Sequence, residues 1–202
     1  MIRLAQTQPD WALGFQDETW WSRVAQPSLS AWADAAHPLR LVEPTVAKAD
    51  PDPKALACYG LLLRTAASAP EQVWLRFVDG RPISAVTAAF LGWCAERLAA
   101  QGKRTLLLVW DNAAWHVSRE ARAWLRAHNQ QVKRDGMGVR IIACYLPVKS
   151  PWLNAIEPKW THTKKRIVEP ERLLPAQELA ERVCDALACP HEPHLPMPKK
   201  VA

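Results

Sequence analysis

Glycine is scarce, at seven of 202 residues, and so are tyrosine and phenylalanine, at two and three. That poverty in glycine, with 49% hydrophobic and 23% charged residues, excludes collagen-like and disordered chains. Long apolar runs are also missing. A bilayer span needs about 20 apolar residues, and charges interrupt even the best stretch, Thr105 to Trp110. Met1 to Asp10 has no basic region leading into an apolar stretch and a small-residue cleavage site. Nothing there directs secretion, so the cytoplasm is the expected compartment. The five cysteines (Cys58, Cys94, Cys144, Cys184, Cys189) are odd in number and mostly widely spaced, which does not make a disulfide framework. They are expected to be reduced and mostly buried. What is present is 11 tryptophans, 17 prolines and a length that suits one domain with a full core.

The net charge of +6 is unevenly placed. Residues 1–100 sum to −1 and residues 101–202 to +7. The surplus concentrates at Arg119, Arg122, Arg126, Lys133, Arg134 and Arg140, then at Lys159, Lys164, Lys165 and Arg166. Such clusters attract a polyanion, because each neutralised phosphate releases condensed counterions. The same clustering also describes a plain solvated face.

Strands are expected over Ala12–Trp21, Leu39–Val46, Ala55–Arg64 and Val73–Val78, with Asp50-Pro51-Asp52-Pro53 as a turn. Ser84 then offers an N-cap to a helix with Val86, Phe90, Leu91, Cys94 and Leu98 at helical spacing, stopped by Gly102. Thr105–Trp110 (TLLLVW) reads as a strand buried on both faces. Ser118 caps a further helix that places Ala121, Trp124, Leu125, His128 and Val132 on one face. A strand over Val139–Leu146, a helix over Asn154–Ile167 and a last helix over Ala176–Leu187 complete a mixed α/β sheet with helices on its faces.

Three acids are expected at or just beyond strand ends, where layered α/β sheets place active groups: Asp17, Asp111 and Glu157. Asp111 ends the buried run, so its carboxylate must pair, bind a metal or bear a desolvation penalty. Asn154 and Glu157 have capping-box spacing, and Pro158 suits a first turn, which puts Glu157 at a helix N-terminus where the dipole favours its ionised form. Asp17 is chosen over Glu18 because strand alternation sets it with Phe15 and Thr19, whereas Glu18 aligns with Gln16 and Trp20. Three convergent carboxylates suit Mg²⁺ or Mn²⁺, and two ions roughly 3.5 to 4 Å apart suit in-line phosphoryl displacement. Residue type and spacing alone leave open that these are surface or capping acids.

Val109-Trp-Asp-Asn-Ala-Ala-Trp-His116 resembles the D-N-A-x-x-H segment around the second acid of DDE-superfamily transposases, specifically the mariner-related bacterial insertion-sequence group. Leu146-Pro-Val-Lys-Ser-Pro-Trp-Leu-Asn-Ala-Ile-Glu-Pro-Lys-Trp160 is similar to that group's L-P-x-x-S-P-x-L-N-P-I-E-x-x-W segment, which carries the third. Gly14-Phe-Gln-Asp-Glu-Thr-Trp20 looks like the strand bearing the first. The resemblance implies an RNase H-like fold over residues 1–189, with an extended or disordered tail over 190–202. It implies Asp17, Asp111 and Glu157 as catalytic and metal-holding residues with Mg²⁺ or Mn²⁺, two ions in all. It further implies DNA cleavage and strand transfer on transposon ends and a target that is typically TA, by a homodimer on DNA in a bacterial cytoplasm, at the nucleoid. Other readings are an RNase H-like nuclease without strand transfer and an inactive DNA-binding remnant.

Three departures from the group's pattern stand out. Asp111 and Glu157 lie 46 positions apart, wider than the commonest spacing, and Gln130–Gly138 is expected as the extra loop. Ala155 replaces the usual proline. The helix-turn-helix modules that precede the catalytic domain in relatives are expected to be absent.

Lys149, Lys159, Lys164, Lys165 and Arg166 flank the third acid and are the candidates for phosphate contacts. His116 is expected to be structural or to orient Asp111, Asn112 to bond Asp111 or the turn backbone, and Ser150 and Asn154 to cap. Cys184, Cys189, His191 and His194 form a string too tight and irregular for a standard zinc finger, and Cys184 is assigned to the apolar face of the last helix.

Overall fold

The computed structural model describes residues 5, 7–24, 34, 36, 45–65, 70–167, 169 and 172–198. Its centre is β1 (Trp11–Ser22) and β4 (Thr105–Trp110), which run parallel with Trp11 opposite Thr105 and Phe15 opposite Val109. All six residues of β4 are buried, as an uninterrupted apolar run requires when both faces of a strand are covered. β2 (Ala55–Arg64) pairs antiparallel with β1, β3 (Gln72–Val78) antiparallel with β2, and β5 (Arg140–Tyr145) parallel with β4. The order across the sheet is β3-β2-β1-β4-β5.

Helices cover both faces. α1 (Ser84–Ala100) and α2 (Arg119–Asp135) pack over Tyr59, Leu61, Leu106, Leu108 and Trp110 through Phe90, Leu91, Leu98 and Leu125. α3 (Glu157–Ile167) and α4 (Ala176–Leu187) cover Leu13, Phe15, Leu62, Leu107 and Val109 through Trp160, Leu179 and Val183. Each fully buried Leu or Phe side chain contributes about 1.5–3 kcal/mol, so the alternating in-and-out registers of β1, β2 and β4 are strongly specified. Among the described residues no helix is long and apolar enough to cross a membrane.

Six strand and helix expectations hold to within two residues at both ends, and others are corrected. Ile83, not Ser84, occupies the N-cap of α1 and makes no side-chain cap bond. The Ser84 hydroxyl is instead used across the fold, pairing with Ser118 Oγ at 2.8 Å and donating to the Trp115 carbonyl at 3.2 Å. Ser118 does cap α2, accepting from Ala121 N at 3.0 Å. The expected loop at Gln130–Gly138 is mostly helix: α2 runs on to Asp135 and ends at Gly136, whose φ of 65° is the left-handed cap that glycine tolerates. The strand expected over Leu39–Val46 falls largely outside the described residues, and Thr45 and Val46 are not in a strand. After α4 the chain runs along the edge of β3, where Leu195 bridges Val78 in parallel and donates its N–H to the Phe77 carbonyl at 2.7 Å.

Candidate active site

Because side chains alternate along β1, Asp17 and Glu18 point to opposite faces of the sheet. Asp17 lies beneath α3, 9% exposed, and its Oδ2 accepts the indole N–H of Trp160 at 2.9 Å. Gly60 is its cross-strand partner on β2, and the Trp160 ring lies over that glycine. Next to it Lys164 donates to Thr19 Oγ1 at 2.7 Å and holds its ammonium 5.7 Å from the Trp21 ring centroid.

Glu18 serves the opposite face. Its Oε1 accepts from Gln16 Nε2 at 2.9 Å and stands 3.0 Å from His116 Nε2, and its Oε2 accepts from Trp115 Nε1 at 2.9 Å. His116 has no exposed surface, and its other ring nitrogen lies 2.6 Å from Asp111 Oδ1. The imidazole therefore bridges a carboxylate on β1 to the one that follows β4. Burial opposes its charge, but the bonds to Asp111 and Glu18 prevail and push its pKa up to about 9, so it is an imidazolium at neutral pH. The His116 hydrogen bond in turn lowers the pKa of Asp111, helped by the Ala113 N–H at 2.9 Å. Both contacts fall on Oδ1, which fixes the carboxylate while leaving Oδ2 without a protein donor among the described residues.

Glu157 opens α3 as its first residue, and Pro158 follows in the first turn, where its missing N–H costs nothing. Asn154 does not cap this helix with its side chain. Its Nδ2 donates to the Gln16 carbonyl at 3.0 Å, while its backbone carbonyl accepts from Glu157 N at 3.1 Å. Nor does Ser150 cap the short 3₁₀ turn Pro151–Leu153. The helix-dipole expectation for Glu157 is overturned: its pKa is raised, first by burial and then, against the pull of Lys164, by the charge of Asp111.

Asp17 is raised from an ordinary 3.8 to about 7, by burial first and then by the charges of Glu157 and Glu18. Glu157 thus lies within electrostatic reach of both Asp17 and Asp111, although the three come from β1, the start of α3 and the end of β4, Asp17 from mid-strand and Glu157 from a helix start rather than from strand ends. Asn112 does not bond Asp111; its Nδ2 donates to the Leu146 carbonyl at 2.6 Å and ties the β5 exit to the β4 exit.

Sequence reading missed three contributors. Trp160 sits three positions after Glu157, on the same helix face, and that spacing was a usable signal. Gly60 is a lone glycine inside a strand pattern, which signals close approach by another group. The Glu18 partnership with His116 spans 98 positions and had no local signal. Among the phosphate candidates, Lys159 pairs with Glu71 at 3.1 Å, Lys164 is placed as above, and Lys149, Lys165 and Arg166 are exposed. In the Cys/His string, Cys184 lies on the buried face of α4, as assigned, and His194 bonds Asp79 at 2.6 Å.

A family model described as DDE superfamily endonuclease matches residues 65–179, more than half of the chain. The chain belongs to the DDE superfamily endonucleases. The fold of this DDE endonuclease domain is similar to solved Mos1 transposase structures. The Mos1 paired-end complex with the left transposon end matches with a TM-score of 0.60 and 14% identity, over 88% of this chain and 48% of that one. The Mos1 mariner paired-end complex with Mn matches with a TM-score of 0.58 and 14% identity, over 87% and 48%. The Mos1 strand transfer complex matches with a TM-score of 0.54 and 14% identity, over 88% and 47%. The likeness is one of fold, the RNase H-like mixed sheet with helices on both faces. The chain spans about half the length of the solved chains it matches. No curated protein matches the sequence.

Among the described residues of this endonuclease domain, no three His, Cys, Asp or Glu side chains are placed to hold a metal ion as they stand. The chemistry of the donor set nevertheless fits a divalent cation. All three are hard-oxygen acids; the charge of Glu157 raises the pKa of Asp17 and that of Asp111 raises Glu157, and a cation among them would relieve that repulsion.

Proposed function

We propose that this DDE endonuclease domain cleaves DNA and transfers the cut strand, with Asp17, Asp111 and Glu157 as its catalytic carboxylates and the holders of Mg²⁺ or Mn²⁺. The observation that carries the reading is the electrostatic convergence of these three acids from separate elements, with Glu157 within reach of the other two and Asp17 raised to about 7 by burial first and then by the charges of Glu157 and Glu18. The Mos1 complexes with Mn and with Mg agree with the choice of ions. Two such ions, when bound, supply an activated water or 3′-hydroxyl and neutralise the leaving oxygen of an in-line phosphoryl displacement.

The chain's own residues do the positioning. Trp160 fixes one oxygen of Asp17, and His116 with Ala113 N fixes one oxygen of Asp111, so that rotation of either carboxylate is restrained before DNA arrives. Glu157 enters from the first turn of α3, with Lys164 within electrostatic reach as a counter-charge. Lys149, Lys164, Lys165 and Arg166 place positive charge on the segments around the third acid, where phosphates of the bound strand are held. Transposon ends paired by a homodimer, and a TA target, are the substrates and assembly that the resemblance to mariner-related insertion sequences brings to this reading.

The test is Mn²⁺-dependent nicking of supercoiled plasmid, compared between wild type, Asp111→Asn and wild type in EDTA. Nicking lost in the variant and in EDTA supports the carboxylate-metal site; nicking retained by Asp111→Asn overturns it. Joining of a cut 3′ end to a second DNA separates strand transfer from plain hydrolysis.

A further inference from the structure

We propose that the loop between β5 and α3 is a stacking platform for an unpaired base of the DNA strand bound at the acids, with Trp152 as its ring. The inference rests on the DNA reading above and adds a residue and a contact class to it.

Single exposed apolar side chains are ordinary on any surface, but clusters of them mark contacts. Among the described residues six large hydrophobic side chains stand exposed, and three of them fall within residues 148–153: Val148 at 74%, Trp152 at 74% and Leu153 at 49%. The loop that carries them is staked at both ends beside the acids. At its start Leu146 donates to the Trp110 carbonyl and accepts from Asn112, the residues on either side of Asp111. At its end Asn154 donates to the carbonyl of Gln16, the neighbour of Asp17. Two residues of chain separate Trp152 from that second stake, which limits their backbone separation to about 7 Å.

The loop is also preorganised. Pro147 and Pro151 restrict its backbone, the 3₁₀ turn Pro151–Leu153 sets the orientation of Trp152, and Lys149 holds a φ of 59°, a left-handed conformation that a lysine adopts only where its surroundings impose it. Residues 146–153 contain one lysine and no acid, and α3 beyond them carries Lys159, Lys164, Lys165 and Arg166. That charge selects a polyanion over an acidic or neutral loop partner. An aromatic face set beside cations is the chemistry that holds single-stranded nucleic acid irrespective of sequence, since every base offers a π-face. A base inside an intact duplex has no free face, so the platform selects DNA that is locally unpaired next to the phosphate being cut.

The experiment measures equilibrium binding, in EDTA so that no strand is cut, of a sealed duplex and the same duplex with a one-nucleotide gap opposite 2-aminopurine, by wild type, Trp152→Ala and Trp152→Phe. Wild type is expected to prefer the gapped duplex by about ten-fold and to quench the 2-aminopurine. Trp152→Ala is expected to keep its affinity for sealed duplex and its melting temperature while losing the preference and the quenching; Trp152→Phe is expected to restore most of both. A preference retained in Trp152→Ala, an equal loss on both DNAs, or no preference in wild type overturns the platform and leaves the DNA reading standing. Failure of folded wild type to bind either DNA overturns the DNA reading, and the platform with it.

Discussion

Trp160 donates its indole N–H to Asp17 from a position that only glycine at 60 leaves open. A Cβ on Gly60, the cross-strand partner of Asp17, would stand 2.3 Å from Trp160 Cη2 and 2.6 Å from Cζ2. The ring also meets Trp21 edge-on, with centroids 5.7 Å apart. A strand glycine, a helix tryptophan and a candidate catalytic acid are therefore one packing unit.

Gly60→Ala is expected to destabilise the fold by about 2 kcal/mol, because an indole that is 2% exposed has no room to move aside. Denaturant unfolding measures this. In a Trp160→Leu background the same substitution should cost clearly less, since the clash is gone; equal costs in both backgrounds would refute the assigned packing of ring on glycine.

Asp17 carries a stability signature with a definite sign. Its folded pKa of about 7 lies above the ordinary 3.8, so its contribution is fully present below about pH 4 and is lost as pH rises through 7. Asp17→Asn keeps an acceptor for Trp160 and removes the charge, and at pH 8 without divalent metal it should be the more stable protein by something on the order of 2 kcal/mol. At pH 4 the difference should vanish. Millimolar Mn²⁺ should raise the melting temperature of wild type and leave Asp17→Asn nearly unmoved; an equal rise in both would remove Asp17 from the metal site.

His116 behaves in the opposite chemical sense. Its folded pKa of about 9 exceeds the ordinary 6.5, so the stability it adds as an imidazolium is complete below pH 6.5 and fades as pH rises through 9. His116→Ala should cost about 3 kcal/mol at pH 6, because it leaves Glu18 and Asp111 facing a cavity, and the deficit should shrink by pH 9.5. A deficit independent of pH would show that His116 acts by packing alone.

The basic residues around the third acid are not equivalent. Lys164→Glu with Lys165→Glu should weaken DNA binding and lower the slope of log K against log salt by about 1 for each phosphate that is no longer neutralised. Lys159→Glu should flatten the slope less, because Lys159 is paired with Glu71. Filter binding over a salt series measures both, and identical slopes for all three proteins would exclude Lys164 and Lys165 from the interface.

Much of this was readable one element at a time. TLLLVW fits a strand covered on both faces, and it is one; the α4 bounds Ala176–Leu187 and the Ser118 cap follow from local pattern. Alternation along β1 set Asp17 on the face that α3 covers. Where local pattern failed, a tertiary partner had taken the residue. Asn154 has the spacing of a cap but reaches β1, and Ser84 stands one place past the N-cap because Ser118 and Trp115 engage its hydroxyl.

The sequence by itself determined the five described strands, most helices and the basic half, and it singled out three acids as candidates, because periodicity, turn chemistry and charge are properties of neighbouring residues. Only the tertiary structure decided what state those acids are in. Asp17 is raised to about 7, Glu157 is raised despite its helix terminus, and Asp111 is lowered by His116. Those states depend on burial and on charges brought close from elements up to 140 positions apart, as between Asp17 and Glu157, and no local pattern carries that information.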